Sequence, residues 1–459
     1  MAKDKKPRGL GRSAGVTTGS EDSTKKAPSS RFNPLGNTDK PSNGKAKAVD
    51  GDQGHDETMS DPPTSSITDA TAPDTAQIAL TSEGDELSEL RQTYDAAQKQ
   101  FAESGTQEYL RGTIHECDRM VRNCKEDVYP VSEFHYIYAS ALHDFSLVGA
   151  EPEEVNGFVE MASMYVKHAT ELLEKEGEKE REWLWRYYLV AGKVNLQKAD
   201  ALFEEQENAK SKKQFQKLSN QIDSTLQEAT SLLDKGFQLI PEGEEKHVAR
   251  VDSQEQQSIE KVNVKEYERV SAAANVALHA DRFEGYDQRK RWNSWAMETY
   301  RQVTEDTPES TEAWQGIATC MHSIVGWWAD QADEEEEEEE DEEDDDEDEP
   351  DDEDEPDDEY SLPVYSTERG QMSVQAVEAI KKAIELARKS DALTSDLLTL
   401  GAECHLNLVN IAVGDKAAAE QSKQAVALIK ESLATFPDAA LEERYAEVLQ
   451  EFEEIASSA

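Results

Sequence analysis

The chain has 459 residues and a formal net charge of −51, of which residues 333–359, 25 Asp or Glu and two Pro, supply about half and leave −26 for the rest. That balance argues against direct, tight nucleic-acid binding, which rests on Lys and Arg neutralising phosphates, and it favours basic partners. Nothing approaches the ~20 apolar residues of a membrane span, no apolar h-region marks a secretory leader, and four scattered cysteines build no disulfide framework, so the nucleus or cytosol is expected.

Residues 1–82 read as a basic and polar tail, too poor in large apolar residues to offset its own ordering entropy. Its first 47 residues hold eleven Lys or Arg against four Asp or Glu. Lys3, Lys5, Lys6, Arg8 and Arg12 cluster at the start. Such a cluster reads as a nuclear-import signal, as a nucleic-acid patch or as a solvated tail.

From Asp85 the pattern turns helical. Leu87, Leu90, Tyr94 and Phe101 suit one helix face. Leu110, Ile114, Cys117, Val121 and Cys124 step by four, three, four and three, the stripe of a second helix. Pro130 breaks the chain before a third, Phe134 to Phe145. Further helices are expected over 154–176, Trp183 to Phe203, 212–239, roughly 253–280, 286–304 and 311–328. Strand signals are nearly absent.

One pattern occurs three times. An alanine is followed one turn later by a large apolar residue, then by a small or β-branched one, then by proline. It reads Ala229, Leu233, Gly236, Pro241; Ala296, Tyr300, Val303, Pro308; and Ala425, Ile429, Ser432, Pro437. This is the second half of a tetratricopeptide-type hairpin, where a small residue lets helices approach and proline ends the second helix. The fold expected is therefore all-α: a tetratricopeptide-like helical-hairpin solenoid with a disordered N-terminal tail and a disordered acidic insertion. Such stacks are mostly surfaces for holding other proteins.

The repeat also places the insertion. If Pro308 closes one hairpin, the next opens at Thr311 and sets Trp314 and Ile317 at the aromatic and aliphatic positions of a first helix, with Ala318 beside them. Its second helix comes only after the acidic run, from Val374 to Ala387. The division expected is a tail over 1–82, helical hairpins over 83–330, an acidic insertion over 331–362 and hairpins resuming over 363–459. A long loop is tolerated there because closure entropy grows only logarithmically with length. Leu397, Leu400, Gly401 and Cys404 open another hairpin, and Leu441 to Ile455 caps the stack.

Chemistry-bearing constellations are scarce. His115 and Asp118 share a helix face, but no second segment with metal-ligand spacing accompanies them, so no metal and no cofactor are assigned. Cys117 and Cys124 read as core. His115, Glu116, Asp118 and Arg119 flank the stripe, either as an exposed ion-pair face or as a binding face. Nucleotide-binding glycine loops, nucleophile elbows and the 2-His-1-carboxylate pattern are missing, so no catalytic residue is assigned and the chain reads as a non-enzyme. Trp183, Trp185, Trp292, Trp295 and Trp314 are expected in inter-helix packing. Adjacent helical residues lie about 100° apart. One of Trp327 and Trp328 is therefore expected to be partly exposed or to cover a neighbouring hairpin, a candidate interface anchor.

The opening MAKDKKPRGLGR, the segment GTIHECDRMVRNC (112–124) and the acidic run ending in DEYSLPVY (358–365) together resemble the fungal enhancer of translation termination family. The fission-yeast negative regulator of an Ofd-type prolyl hydroxylase is similar to that family. The resemblance implies a helical nuclear protein that binds a 2-oxoglutarate-dependent prolyl hydroxylase, supports correct translation termination and regulates hypoxic gene expression. Import receptors and ribosome-associated factors are further partners on this reading. It offers no catalytic residue, and it places a partner contact at Glu116, Asp118 and Arg119. The alternative is a tetratricopeptide histone chaperone of the NASP type, with histones held by the acidic insertion.

Overall fold

The computed structural model describes residues 86–342 and 367–458, apart from short gaps at 105–106, 127, 149–151, 177–180, 252–256 and 412–414. The expectations for the tail, including Lys3, Lys5, Lys6, Arg8 and Arg12, and for residues 343–366 lie outside the described residues. The chain divides into two units. One holds α1 (Glu86–Ser104), α2 (Glu108–Asn123) and His247–Glu260; the other holds everything described from Lys125 onward except that short stretch.

In the larger unit the helices follow as α3 (Ser132–Val148), α4 (Pro152–Glu176), α5 (Leu184–Glu207), α6 (Lys212–Leu239), α7 (Val264–Asp281), α8 (Tyr286–Asp306), α9 (Thr311–Glu342), α10 (Glu368–Lys389), α11 (Ser395–Asn410), α12 (Asp415–Thr435) and α13 (Ala439–Ser458). They pack as sequential pairs, α3 on α4, α5 on α6, α7 on α8, α9 on α10 and α11 on α12, with α13 closing on α12. The acidic run thus does separate the two helices of one hairpin, α9 and α10. No helix among the described residues is long and apolar enough to cross a membrane.

The alanine motif lies where helices touch. Ala229, Leu233, Ala296, Tyr300, Val303, Ala425, Ile429 and Ser432 are all buried. A Cβ built on Gly192 of α5 would come 2.6 Å from Leu233 Cγ, and one on Gly236 of α6 would come 2.7 Å from Leu189 Cδ2. Each helix therefore presents a glycine to the other's leucine, so the two backbones approach closely. The helices end before the expected prolines, α6 at Leu239, α8 at Asp306 and α12 at Thr435. Starts are capped by side chains: Ser211, Asn263, Thr367 and Thr394 each accept a backbone N–H from the first turn.

Three expectations change. A helix expected from about residue 253 begins only at Val264; ahead of it lie two antiparallel strands, β1 (Glu245–Val251) and β2 (Gln257–Asn263). Val248, Val251, Ile259 and Val262 supply the β-branched residues, and Asn263 caps α7 and so sets its start. The acidic run was expected wholly outside the helices, yet its first residues extend α9 to Glu342. Glutamate is a good helix former and no proline interrupts before Pro350, so propagation wins over like-charge repulsion there. In α2 the buried residues are Leu110, Thr113, Cys117 and Met120; Ile114, Val121 and Cys124 are half-buried. The stripe is rotated because Thr113 can be buried with its hydroxyl donating to the Tyr109 carbonyl at 3.0 Å.

Candidate protein-interaction surfaces

The HECDR residues occupy the outer side of α2. His115 and Arg119 are exposed, Glu116 and Asp118 half-buried. Arg119 grips Glu116 with two groups: Nε lies 3.0 and 2.9 Å from the two carboxylate oxygens, and Nη2 lies 2.6 Å from Oε1. Glu86, at the start of α1, lies 3.6 Å from the same guanidinium. The hydrogen bond and charge of Glu116 first, then Glu86, hold the Arg119 guanidinium more firmly protonated than an isolated arginine. The result is a planar, preorganised cation between two carboxylates, a surface with fixed hydrogen-bond geometry. Cys117 points the other way, into the interior.

The tryptophan pair sits in the larger unit. Trp327 and Trp328 are both half-buried and flank Tyr286, their rings 4.9 and 5.1 Å from its ring centre. Trp327 Nε1 donates to the Glu284 carbonyl at 2.9 Å. Lys290, one turn beyond Tyr286 on α8, lies 5.3 Å over the Tyr286 ring and pairs with Glu368 at 2.5 Å. Trp328 precedes the acidic run and Glu368 opens the helix that follows it. The N-terminal turn of α8 therefore contacts α9 at Trp328 and α10 at Glu368, an arrangement the sequence reading missed. Tyr286 and Lys290 at one-turn spacing were its only trace. Of the other tryptophans, Trp292 donates to Asp223 at 3.1 Å, Trp314 donates to the Pro308 carbonyl at 2.9 Å at the surface, and Trp183 stacks on Tyr136 at 5.0 Å.

A second cluster was also unforeseen. Glu268 of α7, 7% exposed at its side chain, lies 2.5 Å from Lys193 of α5 and 2.6 Å from Lys246 of β1. Burial pushes the Glu268 carboxyl up, but the two ammonium groups more than reverse it and hold it at about 2. Burial pushes Lys193 down and Glu268 outweighs that, raising it; at Lys246 burial prevails and the group is lowered. The triad pins the base of the hairpin to two helices.

Among the described residues no group of three or more His, Cys, Asp or Glu is placed to hold a metal ion. Cys117, Cys320 and Cys404 are free and buried, and burial drives each thiol further above its ordinary value. Cys124 is half-buried. A thiol reagent added to the native protein should titrate Cys124 rapidly and the other three only on unfolding. Mass mapping of early adducts at Cys320 or Cys404 would contradict the packing described.

Residues 44–236 match the family model of Nro1, described as a nuclear pore complex subunit. That stretch contains the HECDR helix and Ala229, Leu233 and Gly236 of the first alanine motif, but not its Pro241. Among solved structures the chain is similar to the S. pombe nuclear import adaptor Nro1, at 13% identity over 80% of this chain and 99% of that one, with a TM-score of 0.48. It is also similar to a structure described as the hypoxic regulator of sterol synthesis Nro1, a nuclear import adaptor, at 14% identity over 80% and 93% of the two chains, with a TM-score of 0.47. No curated protein matches the chain.

Proposed function

We propose that this chain is a non-enzymatic nuclear adaptor. It holds a 2-oxoglutarate-dependent prolyl hydroxylase and a nuclear import receptor, and through the hydroxylase it acts on translation termination and hypoxic gene expression. The observation that carries this reading is the match of residues 44–236 to the Nro1 family model, whose namesake is described as a nuclear import adaptor. The sequence resemblance across GTIHECDRMVRNC supports it further and supplies the hydroxylase. On this reading the helical pairs are a rigid platform, and occupying the hydroxylase withholds it from other clients.

A partner contact is proposed at Glu116, Asp118 and Arg119, and Trp327 and Trp328 are proposed separately as an aromatic anchor. A charge swap tests the first. Glu116→Arg with Arg119→Glu keeps an internal ion pair on α2 while inverting the field the surface presents. Combined with Asp118→Lys it should weaken hydroxylase binding at least about tenfold, the scale of an interface hot spot, with circular dichroism unchanged. Undiminished co-purification from the triple variant would remove the contact from this face.

The histone-chaperone reading keeps one specific support: the acidic run interrupts a hairpin and continues α9 as a helix of carboxylates. Acidic tracts speed encounters with basic surfaces at low salt. Deleting 333–359 separates the two. The adaptor reading expects the hydroxylase complex to survive the deletion, whereas a chaperone would lose histone binding.

A further inference from the structure

The first helices of successive pairs pack on one another in turn, α5 on α7, α7 on α9 and α9 on α11, whereas successive second helices do so at most marginally among the described residues. The first helices therefore stand closer together and form an inner wall. Carboxylates along it are mostly matched: Asp200 of α5 pairs with Arg282 at 3.2 Å, and Glu403 of α11 with Arg444 at 2.7 Å. Asp281, at the end of α7, differs. It is exposed and, among the described residues, pairs with no cation. Arg289 of α8 donates to the Asp281 backbone carbonyl at 2.8 Å, not to the carboxylate. His322 of α9 lies 3.6 Å from Glu403 and takes a hydrogen bond from Asn407 at 2.9 Å; burial holds it below its ordinary value, so it is neutral at pH 7.

What the carboxylate receives is neutral. Ser323 donates to Asp281 Oδ1, and Asn293 Nδ2 donates to Ser323 Oγ at 3.1 Å. Asn293 is fully buried behind this pair, and its Oδ1 has no hydrogen-bond partner. A buried acceptor left unmatched is costly. Surrounding protein strips water from the Asp281 carboxyl and raises it above its ordinary value, outweighing Ser323, Arg289, Asn293 and His322, which lower it. The recess thus gathers acceptors around an accessible negative charge that lacks a counter-ion. It also has an apolar edge and room. Leu278, one turn before Asp281, is 41% exposed, and a Cβ on Gly326, one turn beyond Ser323, would meet nothing within 4 Å.

We infer that this recess, built from Leu278, Asp281, Asn293 and Ser323, receives a lysine side chain presented by a protein partner. The aliphatic stem lies along Leu278 and the ammonium meets the Asp281 carboxylate. Lysine fits better than arginine, because Ser323 already occupies one carboxylate oxygen and a guanidinium fork calls for both. This goes beyond the adaptor reading and does not depend on it.

The test is photolabelling of the full-length chain with a short, end-blocked peptide that carries one lysine and a diazirine. The control peptide has norleucine in place of the lysine, which keeps the stem and removes the charge. Mass mapping should find the lysine peptide on α7 and α9 about tenfold more than the norleucine peptide, the scale of one charged hydrogen bond. Asp281→Asn should abolish that preference, and Leu278→Ser should weaken labelling by both peptides. Labelling within the acidic residues 333–359 should be the same in parent and variants and serves as the internal reference. Because the folded state disfavours the charge on Asp281, Asp281→Asn should leave the urea midpoint at pH 7 unchanged or raise it. Equal labelling of α7 and α9 by the two peptides, or labelling confined to 333–359, would overturn the proposal. A lowered midpoint in Asp281→Asn would overturn it too, since the carboxylate would then serve the fold.

Discussion

Replacing Glu268 with Ala is expected to destabilise the helical stack by about 3–5 kcal/mol, the cost of stripping the partner from buried charges. Lys193 and Lys246 would be left facing each other, with side chains only 30% and 31% exposed. Lys246 would lose its anchor and the hairpin base would loosen, so amide exchange over β1 should rise along with global unfolding. Glu268→Gln keeps the volume and should still lose most of the stability, which separates charge from packing. Replacing all three members with apolar residues of similar size should recover much of it, since a buried ion pair rarely outweighs well-packed hydrocarbon. The pH dependence has a defined sign. The carboxyl titrates at its ordinary 4.5 when unfolded and at about 2 when folded. Its contribution is complete above pH 4.5 and disappears as pH falls toward 2, because the unfolded chain takes up the proton first. Chemical denaturation from pH 6 to pH 3 should show this slope in the parent and lose that part of it in Glu268→Ala. A variant as stable as the parent at pH 7 would show that the triad is not what holds the hairpin.

The helical pairs were legible because their determinant is local and repeated. An alanine, a bulky neighbour one turn on and a terminating proline are needed wherever two helices cross closely, and Ala229, Ala296 and Ala425 all lie at such crossings. The same arithmetic placed the insertion between α9 and α10, since Trp314 and Ile317 demanded a partner that arrived only with Val374 to Ala387. The hairpin was not legible for the opposite reason. Its strands are short, carry charges on both faces and lack an Asn-Gly turn, and what stabilises Lys246 there is Glu268, far along the chain. The overrun of α9 reflects a contest between glutamate's helix propensity and charge repulsion, which a count of carboxylates does not decide. On α2 the outward position of Glu116 and Arg119 followed from the spacing of Leu110 and Cys117. Their bidentate pairing depended on side-chain geometry, and the link to Glu86 on a tertiary contact, and neither is written in periodicity.

Gly316→Ala and Gly326→Ala, two identical changes on α9, are expected to have opposite signs. In a helix open to solvent, alanine is favoured over glycine by roughly 1 kcal/mol. A Cβ at Gly326 would meet nothing within 4 Å, so this substitution should stabilise by about that amount or somewhat less. A Cβ at Gly316 would run into the Tyr300 ring, itself 4% exposed and held among Ala296, Ile317 and the helices around them. The ring is rigid, so α8 and α9 must part or Tyr300 must leave its rotamer, at a cost of about 1–3 kcal/mol that exceeds the propensity gain. Urea denaturation of the two variants should therefore differ by roughly 1–3 kcal/mol, the propensity gain being common to both. Adding Tyr300→Leu to Gly316→Ala should restore part of the loss although Tyr300→Leu alone destabilises, a coupling expected only between residues in contact. Additive losses in the double variant would mean that Tyr300 of the second alanine motif does not face Gly316 of the next hairpin. The rule read from the sequence, that these motifs mark the crossings of the stack, would then fail at the hairpin that carries the acidic insertion.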